Sequence, residues 1–336
     1  MSLNSERLRH AAAVRCHQWG DPTEVLELEQ LPLPEIGPGQ ALVRMKAAPI
    51  NPADINVIEG KYGFAPPLPA CCGNEGAGVV QELGPGVTEL EIGQLVRPVP
   101  GVGTWRQALV ADADQLTPLP ASLDPEQAAV MCVNAATAWR MLHDFASLEP
   151  GDWVIQNAAT SAVGKYVIQL CRTLDLRSVN VVRRESAAGQ LRALGADVVF
   201  TEEVKLSKKI RELTGGAAVK LGLNGVGGKS AANLFFALGK RGTLVTYGAM
   251  GRQPVSLPNG PLIFSELTLA GFWVTAWYER ATRAQIDEML GQLAARFADG
   301  ALDTFIERRY PLERVQEAVA HARQEGRRGK VLLTLD

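Results

Sequence analysis

The second half of the chain alternates short apolar runs with helical stretches, and this alternation constrains the fold more than any other feature. From Gly151 onward, apolar runs predict strands at residues 153–156, 179–182, 221–223, 243–247 and 267–272. Helical stretches are predicted between these strands, at residues 162–174, 187–194, 205–213 and 229–238. Because strand–helix–strand crossovers are right-handed, such a series predicts a parallel, doubly wound α/β sheet.

The first part of the chain, to about Thr117, differs in character. It is rich in Gly and Pro and carries short apolar alternations, which predict a β-rich domain. The last residues predict a strand near 305–310, a helix over 312–323 and a closing strand over 330–335, and we expect these elements to return to the first domain. A chain of 336 residues exceeds the ~250–300 residues at which one core stops growing. We therefore predict a first domain over residues 1–133, a second over 134–302 and a return to the first over 303–336.

The predicted strand at 153–157 runs into a turn of small residues and then a helix, which is the setting of a dinucleotide-binding fingerprint. Gly164 stands at the position that allows close helix–strand packing, but alanine, threonine and serine replace the earlier glycines. Small residues still allow backbone amides at a helix N-terminus to approach a pyrophosphate. An ordinary strand–helix turn remains the alternative interpretation.

The next strand ends in Val182-Arg183-Arg184-Glu185, about twenty residues beyond the turn. An NAD enzyme would place an acidic side chain there, on the ribose 2′-hydroxyl. Paired guanidinium groups suit a 2′-phosphate instead, so the sequence predicts NADPH, with two solvated arginines as the alternative. Residues 247–250 and 272–274 follow later strands, at the edge where a nicotinamide would lie; ordinary core packing also explains them.

Charge, hydropathy and cysteine content exclude several classes of function. The net charge is −2 and the pI is about 6.2, which gives little support for binding nucleic acid or an anionic membrane. Charged residues interrupt every long apolar stretch, so no membrane span is predicted. Five cysteines without a Cys-x-x-Cys pair argue against a disulfide framework and a thiolate zinc site. Residues 1–13 fit an engineered end of the chain, a bacterial N-terminus or the remainder of a removed transit peptide.

Eight short segments along the chain carry a resemblance to a known family. They are residues 48–56, 60–63, 73–76, 103–106, 156–157, 180–183, 226–229 and 246–248. On these segments the chain resembles the zinc-free medium-chain dehydrogenase/reductases, and among them the mitochondrial trans-2-enoyl-thioester reductases of type II fatty acid synthesis. The resemblance covers nearly the whole chain and implies a GroES-like catalytic domain beside a Rossmann domain.

The resemblance also bears on metal binding. In the zinc alcohol dehydrogenases of the same superfamily, a Gly-His-Glu segment supplies a metal-binding histidine, whereas this chain reads Gly73-Asn74-Glu75. An asparagine amide is a poor zinc ligand compared with imidazole. The four histidines are scattered and show no ligand spacing. We therefore expect hydride chemistry without a metal.

The site residues follow from the resemblance. Tyr62 matches the catalytic tyrosine, whose phenol, with a pKa of ~10, is protonated at neutral pH and can donate. The alternative for Tyr62 is a tyrosine that only packs. Asn134 matches a cofactor-binding asparagine, and its alternative is a helix N-cap. Lys330 matches a lysine near the cofactor, or is a solvated lysine at a strand end. The other implied cofactor contacts are Thr160, Ser161, Ala162, Val163, Arg183, Arg184, Glu185, Tyr247, Gly248, Ala249, Met250, Phe272, Trp273 and Val274.

The activity that the resemblance implies is NADPH-dependent reduction of the C2–C3 double bond of a 2-enoyl thioester carried by acyl carrier protein or coenzyme A. It further implies a homodimer and a mitochondrial location, or a cytoplasmic one if the chain is bacterial. A zinc-free NADPH quinone oxidoreductase and a nonenzymatic NADPH-binding regulator remain as alternatives. Basic residues near the C-terminus could dock an anionic carrier or form a solvated face. They are Arg308, Arg309, Arg314, Arg327, Arg328 and Lys330.

Overall fold

The computed structural model describes residues 9–202 and 206–335. Residues 1–8, on which part of the N-terminal interpretation rests, and residue 205, at the start of a predicted helix, lie outside the described residues. The fold divides into two compact units. The first comprises the chain up to Val133 together with the chain from Leu290, and the second is Asn134–Met289. The second division falls within a long helix, whereas the sequence analysis placed that boundary after residue 302.

The N-terminal part of the first unit consists of strands and short helices. The strands are β1 (His10–Cys16), β2 (Leu26–Pro32), β3 (Gln40–Pro49), β4 (Ala70–Cys71), β5 (Ala77–Leu83), β6 (Leu95–Pro98), β7 (Ala108–Asp112) and β8 (Leu116–Pro118). The helices are α1 (Pro22–Val25), α2 (Pro52–Ile58) and α3 (Pro125–Ala129). A π-helical turn, Met131–Ala135, follows α3.

Each of these three helices begins with an aspartate or asparagine followed by proline, and the sequence explains why. Asp21 accepts a hydrogen bond from the Thr23 amide at the start of α1, and Asp124 accepts from two amides at the start of α3. Asn51 and Asp54 form a capping box at the start of α2. Proline suits the first helical position because its fixed φ is helical and no amide is needed there.

The second unit is built on six parallel strands, as the strand–helix alternation predicts. They are β9 (Trp153–Gln156), β10 (Arg177–Val182), β11 (Val198–Thr201), β12 (Val219–Asn224), β13 (Thr243–Thr246) and β14 (Thr268–Gly271), in the spatial order β11-β10-β9-β12-β13-β14. This is the doubly wound order, in which the direction of winding reverses between β9 and β12. β11 was not predicted from the sequence.

Seven helices flank or precede these strands in the described part of the second unit. They are α4 (Ala136–Asp144), α5 (Ala162–Thr173), α6 (Ala188–Ala193), α7 (Leu206–Leu213), α8 (Gly228–Phe235), α9 (Asn259–Phe264) and α10 (Val274–Arg280). Ile155, Leu221 and Leu244, on three neighbouring strands, are fully buried. Strands covered on both faces are typical of parallel sheets and explain the continuous apolar runs in the sequence.

The C-terminal residues form helix α11 (Arg283–Ala298), strand β15 (Ile306–Pro311), helix α12 (Val315–Ala322) and strand β16 (Lys330–Thr334). Strand β16 pairs antiparallel with β3, so the closing strands join the main sheet of the first unit. That sheet has the order β15-β16-β3-β5-β6-β8, with β7 also on β3, and a smaller sheet has the order β2-β1-β4. Among the described helices, none is long and apolar enough to cross a bilayer.

Candidate functional site

The turn between β9 and α5 has the features of a phosphate-binding turn. Ser161 caps α5, because its hydroxyl accepts a hydrogen bond from the Gly164 amide at 3.1 Å. A Cβ on Gly164 would lie 2.7 Å from backbone atoms of Ala158 and Ala159, so only glycine permits this close packing. Thr160 is exposed at the start of the helix. The N-terminus of α5 is therefore lined by small side chains and fits an approaching pyrophosphate.

Buried amide side chains connect the carboxyl ends of neighbouring strands. The Asn157 amide nitrogen donates to Asn224 Oδ1 at 2.8 Å, and Asn157 Oδ1 accepts from the Gly225 amide at 2.7 Å. Asn224 Oδ1 also accepts from the amides of Val226 and Gly227. This network fixes the loop after β12. Neither asparagine was among the predicted site residues, although an asparagine at the end of an apolar strand, or directly after it, is a signal that the sequence contains.

The predicted segment Tyr247 to Met250 packs against the same loop. The Met250 amide donates to the Gly225 carbonyl at 3.0 Å, and a Cβ on Gly248 would lie 3.1 Å from that oxygen. The Tyr247 hydroxyl lies beside Ser161, and burial raises the pKa of this phenol to about 12. The structure thus brings Tyr247 to the phosphate turn, while Ala249 and Met250 are exposed.

The paired arginines are exposed directly after β10. Arg183 and Arg184 follow Val182, the last residue of that strand, and β10 lies next to β9 in the sheet. Glu185 is also exposed and approaches Arg192 at 3.8 Å. Because β9 and β10 are parallel, the arginines lie at the same end of the sheet, the carboxyl end of its strands, as the turn that precedes α5. Two exposed guanidinium groups there fit a 2′-phosphate.

In the segment Phe272 to Val274, two side chains pack against the protein and one is exposed. The Phe272 amide donates to the Thr246 carbonyl at 3.0 Å, and its ring packs edge-on against Phe145, with 5.7 Å between centroids. Val274 is buried at the start of α10. Trp273 is 39% exposed and is the member of this segment most accessible to a ligand.

Tyr62 lies in the loop between α2 and β4 of the first unit and is half-buried. The loop leaves α2 in a defined turn, in which the Lys61 amide donates to the Asn56 carbonyl at 2.8 Å. Gly60 has a φ of +66°, and a Cβ there would lie 3.2 Å from Trp19. Backbone conformation and the covering tryptophan therefore both favour glycine two residues before Tyr62.

Asn134 is 8% exposed and lies within the π-helical turn Met131–Ala135, so it is not the N-cap of a helix. Ala135 is the N-cap of α4. Single π-turns occur often at functional sites, because the extra residue redirects side chains locally. The N-cap alternative of the sequence analysis is therefore wrong, and the site assignment of Asn134 stays a prediction.

Lys330 is the first residue of β16 and only 6% exposed, which contradicts the alternative of a solvated lysine. Its ammonium donates to Asn51 Oδ1. Lys330 therefore does not belong to the basic C-terminal surface. Two further members of that set are neutralised locally, since Arg309 pairs with Glu126 and Arg314 pairs with Glu317.

The Asn74 side chain, which stands at the histidine position of the zinc enzymes, donates to Asp54 Oδ1 at 2.7 Å. Elsewhere in the described chain, one group of side chains has the spacing of metal ligands: His17, Glu27 and Glu29. It lies on the exposed ends of β1 and β2, and Arg15 also pairs with Glu29.

Comparison with known proteins identifies the family. A model of the alcohol dehydrogenase GroES-like domain matches residues 37–121, and a model described as zinc-binding dehydrogenase matches residues 162–294. The mitochondrial enoyl-[acyl-carrier-protein] reductase of Homo sapiens is 40% identical over 340 residues, covering 99% of this chain and 91% of the relative. The chain belongs to the enoyl-[acyl-carrier-protein] reductase family. The predicted architecture, a GroES-like domain and a Rossmann domain of the medium-chain dehydrogenase/reductase superfamily, is confirmed.

Solved structures of this superfamily have the same fold. Etr1p with NADP and crotonyl-CoA has a TM-score of 0.89 at 32% identity, covering 97% of this chain and 99% of that one. The Etr1p/Etr2p heterodimer of Candida tropicalis, a mitochondrial 2-enoyl thioester reductase, has a TM-score of 0.89 at 33% identity and the same coverage. A chain described as a candidate NADPH:quinone reductase of Bacillus thuringiensis has a TM-score of 0.90 at 30% identity, again with 97% and 99% covered. Backbone similarity therefore does not separate thioester reductases from quinone reductases.

Proposed function

We propose that the chain is an NADPH-dependent reductase of the C2–C3 double bond of trans-2-enoyl thioesters. The observation that carries this proposal is the 40% identity with a named enoyl-[acyl-carrier-protein] reductase over nearly the full length of both chains. The similar Etr1p structure contains NADP and crotonyl-CoA, which supports a nicotinamide cofactor with a 2′-phosphate and a thioester substrate. Acyl carrier protein and coenzyme A are both candidate carriers of the enoyl chain.

The residues of the second unit fit NADPH. The turn from Thr160 to Val163 would hold the pyrophosphate at the N-terminus of α5, where the close packing of Gly164 leaves no bulk in the way. Arg183 and Arg184 would hold the 2′-phosphate. When bound, NADPH supplies the hydride that adds to the β-carbon of the enoyl chain.

Tyr62 is the proposed proton donor. Reduction of the double bond places negative charge on the thioester as an enolate, and the α-carbon then needs a proton. A phenol is protonated at neutral pH and can donate from its hydroxyl. Asn134 can hold the cofactor or the thioester through its side-chain amide, which donates and accepts. None of these roles requires a metal.

The competing function is quinone reduction, which the structural similarity to the Bacillus thuringiensis chain favours. A substrate panel tests both functions: NADPH oxidation is followed with short and long 2-enoyl thioesters of coenzyme A and acyl carrier protein, and with quinones. We expect turnover of the thioesters. Turnover of quinones alone would refute the proposal, and NADPH binding without turnover of either class would support the regulator instead.

We further propose a homodimer formed through the second unit. Strand β14 is the outermost described strand of its sheet, at the opposite edge from β11. Apolar side chains near this edge are exposed: Leu269 by 46%, Ile263 by 64% and Phe264 by 82%. An exposed sheet edge with large apolar side chains is typical of an association surface.

We also propose a mitochondrial location, because the human and other relatives carry that location in their names. The alternative is a cytoplasmic location, which is expected if the chain is bacterial. Fractionation of cells that express the full natural chain distinguishes the two: enrichment with the mitochondrial matrix is expected, and a cytoplasmic distribution in an organism with mitochondria would refute it.

A further inference from the structure

A cluster of buried polar and charged side chains lies in the first unit, and the proposed reaction leaves most of it without a role. Asp54, Glu75 and Lys330 are 2%, 1% and 6% exposed. Ionisable side chains are almost never buried this deeply unless they are paired. Glu75 belongs to the Gly73-Asn74-Glu75 segment, which carries part of the family resemblance and lacks the histidine of the zinc enzymes, and no role was predicted for this glutamate. The contacts of this glutamate indicate what the cluster does.

Both oxygens of the Glu75 carboxylate accept hydrogen bonds from other parts of the chain. Oε1 accepts from the Asn51 side-chain amide at 2.8 Å, and Oε2 accepts from the Val133 backbone amide at 2.7 Å. The Cys132 amide also donates to this carboxylate. Glu75 thus holds two consecutive amides of the π-helical turn.

Asn51 connects Glu75 to Lys330. Its amide nitrogen donates to Glu75, and its Oδ1 accepts from the Lys330 ammonium, so the two contacts fix the orientation of the side chain. The charges are coupled as well. Burial raises the pKa of Glu75, and the Lys330 ammonium counteracts this by favouring the carboxylate.

The segments that meet at Glu75 are those that carry the predicted site residues of the first unit and its border. Val133 directly precedes Asn134 in the π-helical turn. Asn51 is the N-cap of α2, the helix that leads into the Tyr62 loop. Lys330 is itself a predicted cofactor contact. The Glu75 carboxylate therefore bonds directly to the Asn134 turn and to Asn51, and Asn51 connects it to Lys330.

We propose that Glu75 is a positioning residue for cofactor binding, which fixes the turn before Asn134 and, through Asn51, the Lys330 ammonium. This inference rests on the proposed function, since Asn134 and Lys330 matter only if NADPH binds. Glu75 itself contacts neither hydride nor substrate. It acts by holding two cofactor-contact residues in place before the ligand arrives, which lowers the ordering cost of binding.

The test is the NADPH affinity of Glu75→Gln, measured by fluorescence titration of the full chain. Glutamine keeps the size and one acceptor oxygen but removes the charge that attracts Lys330 and adds a donor facing the donors of the turn. We expect the Kd for NADPH to rise at least tenfold. The matched control is Glu126→Gln, which neutralises a carboxylate of the same unit that pairs with the exposed Arg309. The control should retain the wild-type Kd.

A merely structural role gives a different result. In that case Glu75→Gln lowers the thermal midpoint but binds NADPH with the wild-type Kd once folded, and the proposal is overturned. A double variant adds a second criterion. If Glu75 acts partly through Lys330, the loss of affinity in Glu75→Gln/Lys330→Gln is smaller than the product of the two single losses; a full product overturns the coupling.

Glu75→Asp keeps the test decisive if the glutamine variant does not fold. Aspartate retains the charge but is too short to reach both the Asn51 and Val133 donors, so an intermediate Kd is expected, and a wild-type Kd contradicts the proposal. Because NADPH binding is measured without a thioester, failure of the inference is distinguishable from failure of the proposed function. If the wild-type chain turns over no enoyl thioester but Glu75→Gln weakens NADPH binding, the positioning role survives and the substrate assignment does not.

Discussion

Tyr62 is the residue on which the proposed chemistry depends most. Replacing it with phenylalanine removes the hydroxyl and keeps the ring, so packing of the half-buried side chain is preserved. We expect kcat/KM with 2-enoyl thioesters to fall by ~10²-fold or more, in keeping with the loss of a general acid. Stopped-flow or steady-state NADPH oxidation measures this directly.

The same variant separates the two candidate reactions. NADPH affinity should stay at the wild-type value, because the hydroxyl is not assigned to the cofactor. Any quinone turnover of the wild-type chain should persist in the variant, since that reaction has no need of this proton donor. Unchanged thioester turnover would remove Tyr62 from the mechanism.

The predicted preference for NADPH is assigned to Arg183 and Arg184, which lie exposed directly after β10. Replacing both with alanine removes the guanidinium groups that fit a 2′-phosphate, while NADH has no such phosphate to lose. We expect the Kd for NADPH to rise by ~10- to 100-fold, corresponding to one or two lost charge-assisted hydrogen bonds, and the Kd for NADH to change little. The matched control is Lys240→Ala/Arg241→Ala, which removes two exposed basic residues that are consecutive in the chain and pair with Glu266. Equal losses for both cofactors would argue against the assignment.

Some of these residues could be predicted from the sequence and others could not. The position of Arg183 and Arg184 could be predicted because they directly follow the end of one strand, and a strand end is a local feature of the sequence. The burial of Lys330 depends on Asn51, which is 279 positions away, and no local pattern contains that contact. The environment of Glu75 was equally inaccessible to sequence reasoning, since its hydrogen-bond partners Asn51 and Val133 and its charge partner Lys330 come from three separate segments of the chain.

At the scale of single elements, the β9–α5 turn offers a sharp test of packing. Gly164→Ala places a Cβ 2.7 Å from the backbone of Ala158 and Ala159, where no flexible side chain can give way. We expect a loss of ~1–3 kcal/mol in the free energy of unfolding, together with weaker NADPH binding, because the turn must shift. Chemical denaturation monitored by tryptophan fluorescence measures the loss.

Gly189→Ala is the matched control for this substitution. Gly189 lies within α6 of the same unit, and a Cβ there meets nothing within 4 Å. Alanine favours the helix over glycine, so a gain of ~0.5–1 kcal/mol is expected. If both variants lose stability equally, the loss at Gly164 does not come from close packing.

The elements also show where periodicity fails as a predictor. Strands such as β9 and β12 are buried on both faces and therefore appear as continuous apolar runs. β11 was not predicted although Val198–Thr201 is an apolar run of the same length as β9, because periodicity alone does not decide the type of so short a run. A helix N-cap was the alternative for Asn134, and the sequence did not predict the π-helical turn at Met131–Ala135. Its extra residue is held by tertiary contacts such as the hydrogen bond from the Val133 amide to Glu75, which no local pattern contains.

At the scale of the whole chain, the fold does not determine which reaction is catalysed. The TM-scores of 0.89 with a thioester reductase and 0.90 with a candidate quinone reductase are equivalent for any argument about mechanism. Proteins named for different reactions share this backbone, so we expect specificity to arise from individual side chains. Chain length and strand–helix alternation were sufficient to predict two domains and a doubly wound sheet. They contain no information about which electron acceptor enters the site.

The proposed dimer is the prediction that belongs to the whole molecule. A dimer through β14 should show about twice the chain mass of 36.1 kDa in sedimentation equilibrium at micromolar concentration. Phe264→Glu adds a charge to the most exposed apolar side chain near that edge, and burying it against an apolar partner surface is unfavourable. We expect this variant to sediment as a monomer, whereas Ile92→Glu, an equally drastic change at a 69% exposed position of the first unit, should remain dimeric. A monomeric wild-type chain, or dissociation by both variants alike, would contradict association through β14, because only the edge-strand surface should respond.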